Sequence, residues 1–403
     1  MVLTPHSPTA PSPTVTEQRL HALADVPAAV PGRPRRPVDD GRVERPAPGE
    51  RPDRRPLDPG VGHVLVVDVE ERTDPGDEAP CSTLLAGHLA RRAASVAVLD
   101  GTTAPPHRPD LVIGFTPPLE DARIAHRAAR EAGARLIVVV QELLQRATYT
   151  LSDVEAERRV LRDADVVAIA SETFRDAVRG YGVPDGRIGV LPDWAHVVPT
   201  WLDRRDARRA LGWPQRGFLA VHAGMGPHHD PECVVEAARL AGPDVQVALV
   251  GAGPRDARVR ELAAGLPNVI VAGPLDRRTR PLSLVAADVL VLTEALAPGQ
   301  LSLPGELASS LAAARPVVAA AEPGSVVRAE LRRAGGAGVV VPAHSALRLA
   351  EALVALRAEP TRRVAMGLAG LAHAEAELSV EGSLARFDAL VDAALRRPPV
   401  AAR

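Results

Sequence analysis

The chain has 403 residues, enough for two domains of ordinary size, because single hydrophobic cores stop growing at about 250–300 residues. Apolar residues make up 46% and charged residues 24%, and the formal net charge of -2 argues against a nucleic-acid partner. Two cysteines, Cys81 and Cys233, can form neither a disulfide framework nor a four-thiol zinc site, which fits a reducing compartment. Without a secretory leader or a run of about 18 apolar residues, we expect a cytoplasmic protein, at most peripheral to the inner face of a membrane.

Residues 1–60 contain an alternation of proline, arginine and acidic residues, as in PGRPRRPVDDGRVERPAPGERPDRRP. Such a segment cannot bury enough apolar area to offset the entropy lost on ordering, so we predict a disordered tail. Its arginines are interleaved with Asp and Glu, which favours a solvated leader over an arm that binds lipid or nucleic acid.

From residue 62 onwards, short β-branched runs alternate with Ala/Leu/Arg stretches of helical period, which is typical of βαβ units and parallel sheets. The first six runs begin at His63, Ser95, Asp110, Arg135, Asp165 and Arg187, and six more begin at Phe218, Val245, Val269, Asp288, Pro316 and Gly338. We therefore predict an α/β protein with two Rossmann-like parallel-sheet domains facing a cleft, at residues 61–196 and 197–380. A last helical segment, 381–403, is expected to pack back on the first domain. Ligands of open parallel sheets bind beyond the carboxyl ends of the strands, so the loops there are the candidate site.

Two glycine turns follow strands of the second domain. The first contains Gly224, Met225 and Gly226 and precedes a predicted helix, so its backbone is expected to approach a phosphate at the helix N-terminus. The second contains Gly251 and Gly253. An ordinary βα turn has the same pattern, and both interpretations stay open.

No resident cofactor or metal is expected. A dinucleotide site would need a third glycine in register and an acidic residue after the next strand, and here Pro254 follows the second turn while that strand runs into Gly273. Three histidines, His222, His228 and His229, lie near the first turn without a cysteine-rich or carboxylate-rich partner cluster, which argues against zinc.

The most specific pattern is the segment 288–325, DVLVLTEALAPGQLSLPGELASSLAAARPVVAAAEPGS. Its LPxxLxSxLAAxRPVVAA order, the glycine turns before it and the strand and helix after it resemble the donor domain of retaining family-four glycosyltransferases of the GT-B fold. The nearest type is that of colanic acid biosynthesis, common in exopolysaccharide clusters. In the first half, segments 79–101, 139–147 and 155–196 resemble the acceptor domain of the same enzymes, so the resemblance covers about residues 62–397.

The resemblance implies that a sugar moves, with retention and without a metal, from a UDP- or GDP-sugar to a glycan or lipid-linked acceptor in cell-surface polysaccharide synthesis. Glu142 or His88 would orient the acceptor hydroxyl, although both are also ordinary polar residues at the end of a strand or helix. The implied donor contacts are Gly224, Met225, Gly226, His228, Gly251, Gly253, Pro274, Leu275, Glu294, Gly305, Glu306, Leu307 and Ser309. For Leu307, maintenance of the fold explains the pattern equally well.

The sequence departs from the family where the donor diphosphate should bind. His228 stands where a lysine is usual, and Gly305-Glu306 replaces a Ser-Lys pair. A carboxylate at position 306 would repel the diphosphate unless it pairs with a nearby arginine such as Arg277 or Arg278, so Glu306→Lys is expected to strengthen donor binding tenfold or more. Two other functions stay open: a non-catalytic homologue that binds a partner enzyme or glycan, and a nucleotide-sugar epimerase, which no motif favours.

Overall fold

The computed structural model describes residues 62–68, 81–99, 107–143, 150–195, 202–276, 278–295 and 301–396. The predicted tail at 1–60 and Arg277 lie outside the described residues. Within the described ranges, two six-stranded sheets form the two halves of the protein.

The first sheet has the strand order β2-β1-β3-β4-β5-β6, with every pair parallel. Its strands are β1 His63–Val67, β2 Ser95–Leu99, β3 Leu111–Thr116, β4 Arg135–Val140, β5 Val166–Ile169 and β6 Ile188–Val190. The helices beside it are α1 Cys81–Leu89, α2 Leu119–Ala132, α3 Leu151–Asp163 and α4 Arg175–Gly180. The interior strands β3 and β5 are buried along their whole length, as expected for strands covered by helices on both faces.

The second sheet has the order β12-β11-β10-β7-β8-β9, so the chain starts in the middle and winds outward to both edges, as in a Rossmann fold. Its strands are β7 Phe218–Ala223, β8 Val245–Val250, β9 Val269–Gly273, β10 Val289–Thr293, β11 Val317–Ala321 and β12 Gly338–Pro342. Its helices are α5 Arg204–Ala210, α6 Pro231–Ala241, α7 Asp256–Ala263, α8 Arg280–Ala286, α9 Glu306–Ala312, α10 Val326–Arg333 and α11 Ala346–Ala358. The predicted α/β class and the twelve predicted strands are confirmed.

Local signals set several helix ends. Thr150 and Asp153 form a reciprocal capping box at the start of α3, with both main-chain to side-chain bonds at 3.2 Å. Helix α2 ends at Gly133, whose φ of 64° is the left-handed conformation that glycine adopts most easily. These residues therefore mark the start of α3 and the end of α2.

The C-terminal helices connect the two halves. Helix α12 spans Pro360–Glu377 and α13 spans Val380–Leu395. The side chains of Phe387 and Val391 in α13 are fully buried in the core of the first domain. Gly189 on β6 makes this packing possible, because a Cβ there would lie 2.2 Å from the side chain of Leu390. The chain thus returns to the first domain after completing the second.

The two domains also meet through the main chain at the mouth of the cleft. The N–H of Leu143, after β4, donates to the carbonyl of Leu301 at 3.2 Å, and Glu142 forms an antiparallel bridge with Ser302. The side chains of Leu301 and Leu303 pack on the buried core of the first domain. The segment ahead of α9 therefore belongs to the second domain in sequence and touches both domains.

Candidate functional site

A cavity of about 430 Å³ opens beyond the carboxyl ends of β7 and β8, beside the point where the strand order of the second sheet reverses. This is where open α/β sheets place their ligands. We call it the switch-point cavity. Its lining residues are Ala223, Gly224, Met225, Gly226, His229, Val250, Gly251, Ala252, Pro274, Leu275, Asp276, Arg280 and Glu306.

The two glycine turns pack against each other along one side of this cavity. A Cβ on Gly253 would lie 1.7 Å from the carbonyl oxygen of Met225, and a Cβ on Gly224 would lie 2.5 Å from the ring of His229. The N–H groups of Gly224 and Gly251 donate to strand carbonyls at 3.0 and 2.9 Å and extend the ladder of the sheet. These glycines are therefore needed for close packing of the turns, and the N–H groups of Gly224 and Gly251 already have acceptors.

The helix after the first turn begins later than a phosphate site would need. Helix α6 starts at Pro231, and its first-turn N–H of Cys233 donates to the carboxylate of Asp230 at 3.2 Å. The other oxygen of Asp230 lies 2.6 Å from Nδ1 of His344. A carboxylate already caps this helix, so the expected anion site at its N-terminus is occupied by the protein's own acid.

A triad of ionisable side chains, Glu306, Arg280 and His229, lies in the lining of the switch-point cavity. Oε1 of Glu306 is 3.6 Å from Nη2 of Arg280 and 4.0 Å from Nε2 of His229. The expectation that an arginine offsets Glu306 is met by Arg280, whereas the main-chain N–H of Arg278 donates to Asp276 in the preceding turn. Arg280 is the one arginine among the described residues that line this cavity.

His229 of this group and the neighbouring His222 are both pushed toward the neutral form. Burial lowers the pKa of His229, against the nearby carboxylate of Glu306, which raises it. Burial and then the neighbouring His229 lower the pKa of His222 to about 3, and its Nε2 lies 2.9 Å from the hydroxyl of Thr293. The permanent positive charge of the cavity therefore comes from Arg280.

Glu294 lies directly after β10 and is 2% exposed. One carboxylate oxygen accepts from the N–H of Glu322 at 3.2 Å, and the other is buried without a hydrogen-bond partner. Burial raises the pKa of Glu294 to about 7, although hydrogen bonds from Ser325 and Glu322 oppose this. It lines neither of the two cavities described in this section.

This raised pKa predicts a pH-dependent stability. Between pH 4.5 and about 7 the folded protein holds a proton on Glu294 that the unfolded chain releases, so the free energy of unfolding falls as pH rises through this window. Glu294→Gln should match wild type near pH 4 and exceed it at pH 8 by on the order of 3 kcal/mol. Urea denaturation at several pH values measures this, with the exposed Glu351→Gln as control. A difference independent of pH would show that Glu294 ionises normally.

A second cavity, of about 320 Å³, lies between the domains and is called the interdomain cavity below. Oε2 of Glu142 from the first domain and Nε2 of His228 from the second are 3.8 Å apart across it. Its lining residues are Cys81, Pro117, Val139, Gln141, Glu142, Ala170, Leu191, Pro192, Asp193, Trp194, His228, Ser302, Leu303 and Gly305. His228, expected at the donor phosphate, thus faces the first domain, and His229 takes the position beside the glycine turn.

The two cavities adjoin at one boundary, which we call the wall. His228 lines the interdomain cavity and the next residue, His229, lines the switch-point cavity. Likewise, Gly305 lines the interdomain cavity and the next residue, Glu306, lines the switch-point cavity. Two ligands bound on the two sides would therefore meet at this wall.

Several predicted site residues line neither cavity. His88 on α1 bonds Asp388 of α13 at 2.8 Å, and Asp388 also pairs with Arg92, so this histidine joins α1 to the C-terminal helix. Leu307 is 1% exposed in the hydrophobic core, and Ser309 is buried in the same helix. Gly253 packs behind Met225. For these residues, and for Glu294, the predicted contacts with donor or acceptor stay predictions.

Sequence reasoning missed Arg280, His229 as the inward-facing histidine, and Asp193. Arg280 opens helix α8 just after the turn in which Asp276 accepts from the N–H of Thr279 at 2.8 Å. An arginine at the first position of a helix beyond a strand-end turn was the available signal. Asp193 carried no signal, because its place in the interdomain cavity depends on how the domains meet.

Neither a metal cluster nor a membrane-spanning helix is found in the described ranges. No group of three or more His, Cys, Asp or Glu residues there is arranged to hold a metal ion, and no helix there is long and apolar enough to cross a bilayer. The absence of a resident metal stays a prediction.

Family models match both halves of the chain. Residues 2–194 match the glycosyl transferase 4-like domain, and residues 228–359 match the domain described as glycosyl transferases group 1. Each half of the chain is therefore similar to a glycosyltransferase domain. The first match starts within the segment predicted as a tail, which the structure does not describe.

The chain is similar to curated bacterial proteins over part of their length. It is 29% identical over 187 residues to a GDP-mannose-dependent monoacylated alpha-(1-6)-phosphatidylinositol monomannoside mannosyltransferase of Corynebacterium glutamicum, covering 44% of this chain and 48% of that protein. It is 32% identical over 261 residues to a D-inositol 3-phosphate glycosyltransferase of Xylanimonas cellulosilytica, covering 60% of each. The match thus spans between about half and three fifths of these relatives.

Solved structures share the fold of this chain. HepE of Anabaena, solved with UDP and glucose, superposes with a TM-score of 0.66 at 16% identity, covering 82% of this chain and 99% of that one. Sucrose-phosphate synthase from Thermosynechococcus elongatus superposes with a TM-score of 0.66 at 17% identity, covering 82% and 98%. The GT-B fold predicted from the sequence is therefore confirmed.

Proposed function

We propose that this glycosyltransferase moves a sugar from a nucleotide-sugar in the switch-point cavity to an acceptor hydroxyl in the interdomain cavity. The observation that carries the proposal is the shared wall, in which His228 and His229, like Gly305 and Glu306, face opposite cavities. A donor whose sugar reaches this wall would bring its anomeric carbon to an acceptor on the other side.

The donor site needs groups that stabilise the diphosphate as it leaves. Arg280 provides a permanent positive charge inside the switch-point cavity, which favours the charge that develops in the transition state. The main chain of Pro274 and Leu275, which also line this cavity, would hold the base. The site then uses a side-chain cation where the sequence pattern suggested backbone N–H groups of the glycine turns.

On the acceptor side, Glu142 and His228 would hold the hydroxyl that attacks. The two atoms are 3.8 Å apart, so a single oxygen fits at a hydrogen-bond distance of about 2.8 Å from both. Since the pair joins the two domains, the acceptor hydroxyl would be positioned only when the cleft is closed.

We further propose retention of configuration, no metal requirement, and a UDP- or GDP-sugar as donor. The curated relatives are named for a GDP-mannose donor and for inositol phosphate or phosphatidylinositol mannoside acceptors, which supports a glycan or lipid-linked acceptor. We place the reaction in cell-surface polysaccharide synthesis of the exopolysaccharide type, in a reducing cytoplasm at the inner face of the membrane. The free thiols Cys81 and Cys233 are compatible with that compartment.

A second candidate is a non-catalytic homologue that binds a partner or a glycan through the cleft. The pairing of Arg280 with Glu306 favours it, because this carboxylate offsets the charge that the leaving diphosphate would need. Turnover separates the two candidates.

The test incubates the full chain with UDP- and GDP-sugars and a set of glycan and lipid-linked acceptors. We expect a glycoside product with the anomeric configuration of the donor, in an amount equal to the released nucleoside diphosphate and unchanged by EDTA. Nucleotide-sugar binding without product would support the non-catalytic candidate. No binding of any nucleotide-sugar would contradict both.

A further inference from the structure

We infer that the interdomain cavity selects an uncharged acceptor group, a sugar or polyol that bears no phosphate or carboxylate where it enters the cavity. The inference rests on the proposed function, because it names the acceptor class of that same site. It comes from the side chains that line the cavity.

The ionisable groups of the described lining are mostly acidic. Glu142 is 7% exposed and Asp193 is half-buried, and no lysine or arginine is among the described residues of the lining. The carboxylate of Asp193 lies at the wall, 3.5 Å from the position of a Cβ on Gly305. Two carboxylates thus meet any ligand that reaches the wall from this side.

The thiol of Cys81, another lining group, responds to this negative charge. Burial, followed by the charges of Asp193 and Asp68, raises the pKa of Cys81 well above its ordinary value. Asp68 accepts a hydrogen bond from Ser82, the residue after Cys81. The site therefore disfavours a second negative charge on its own cysteine, and the same field acts on an anionic ligand.

The rest of the lining suits a hydroxyl-rich ligand. Gln141 and Ser302 offer neutral donors and acceptors, and Trp194 and Leu191 supply an apolar surface. Proteins usually bind phosphate with arginine, lysine or backbone N–H groups, and the first two are missing from the described lining. The acceptor class thus differs from the phosphate-bearing inositols in the names of the curated relatives.

The test is calorimetric titration of the full chain with matched pairs: myo-inositol against D-inositol 3-phosphate, glucose against glucose 6-phosphate, and mannose against mannose 6-phosphate. Each pair is titrated into the free protein and into protein saturated with UDP or GDP. We expect at least one uncharged compound to bind, with its phosphorylated partner at least tenfold weaker. A phosphorylated compound that binds equally or more tightly, or no binding by any uncharged one, would overturn the inference.

Variants of the lining residues test whether the interdomain cavity causes the weaker binding of the phosphorylated compounds. Asp193→Asn and Glu142→Gln should each reduce discrimination against the phosphorylated partner at least threefold, while Asp176→Asn, with a 96% exposed side chain on α4, should leave it unchanged. Unchanged discrimination in both cavity variants would contradict the inference. Binding of UDP or GDP is measured in the same experiments, and its absence would count against the proposed function. The affinities of the matched compounds for the free protein would still test the selectivity.

Discussion

Arg280→Gln should weaken binding of UDP- or GDP-sugar by tenfold or more. Arg280 is the one arginine in the described lining of the switch-point cavity, and its side chain is 27% exposed. A unit-charge contact at about 4 Å and an effective dielectric near 20 contributes roughly 4 kcal/mol before screening. A tenfold loss of affinity corresponds to about 1.4 kcal/mol, so we expect a loss of this size even after water screens much of the contact energy. Calorimetric titration measures it.

Glu306→Gln should have the opposite effect, because it releases Arg280 from its carboxylate partner at 3.6 Å. We expect donor affinity to rise about tenfold. This variant tests the effect of the charge at position 306 more cleanly than Glu306→Lys, which places a second cation beside Arg280.

Arg278→Gln is the matched control for Arg280→Gln, because Arg278 is exposed in the adjoining turn and outside the lining. Equal affinity in Arg280→Gln and wild type would show that the diphosphate does not bind here.

Gly253→Ala should destabilise the second domain by roughly 3 kcal/mol or more and abolish donor binding. Its Cβ would lie 1.7 Å from the carbonyl oxygen of Met225, and main chain cannot move aside as a flexible side chain can. Separating the two turns would also displace Met225, which lines the switch-point cavity. Thermal unfolding and nucleotide titration measure the two effects.

Gly324→Ala is the control for this substitution, because a Cβ there meets no atom within 4 Å. It should change stability by no more than about 0.5 kcal/mol. If Gly253→Ala behaves like Gly324→Ala, the close packing of the two turns is wrong and the shape of the cavity must be reconsidered.

The fold could be predicted because each strand is a β-branched run between helical stretches, and a parallel sheet requires that pattern. Runs such as Leu111–Thr116 and Phe218–Ala223 are buried on both faces, so their composition alone marks them. The edge of the sheet that carries the site could also be predicted, because ligands of open parallel sheets bind beyond the carboxyl ends of the strands.

The site could be predicted only in part, since it depends on which way adjacent side chains point. His228 and His229 are neighbours in sequence and line different cavities, and sequence order cannot decide between them. The partner of Glu306 is Arg280, 26 positions earlier, and this contact joins the start of the helix after β9 to the start of the helix after β10. The position of Asp193 depends on docking of the two domains, which no local pattern encodes.

The most direct test of the account is a crystal structure of the full chain with a bound UDP- or GDP-sugar. We predict that the diphosphate lies beside the guanidinium of Arg280, that the base contacts Pro274 and Leu275, and that the sugar reaches the wall formed by His228 and Gly305. A nucleotide-sugar bound elsewhere, or one whose sugar points away from the interdomain cavity, would contradict transfer across this wall.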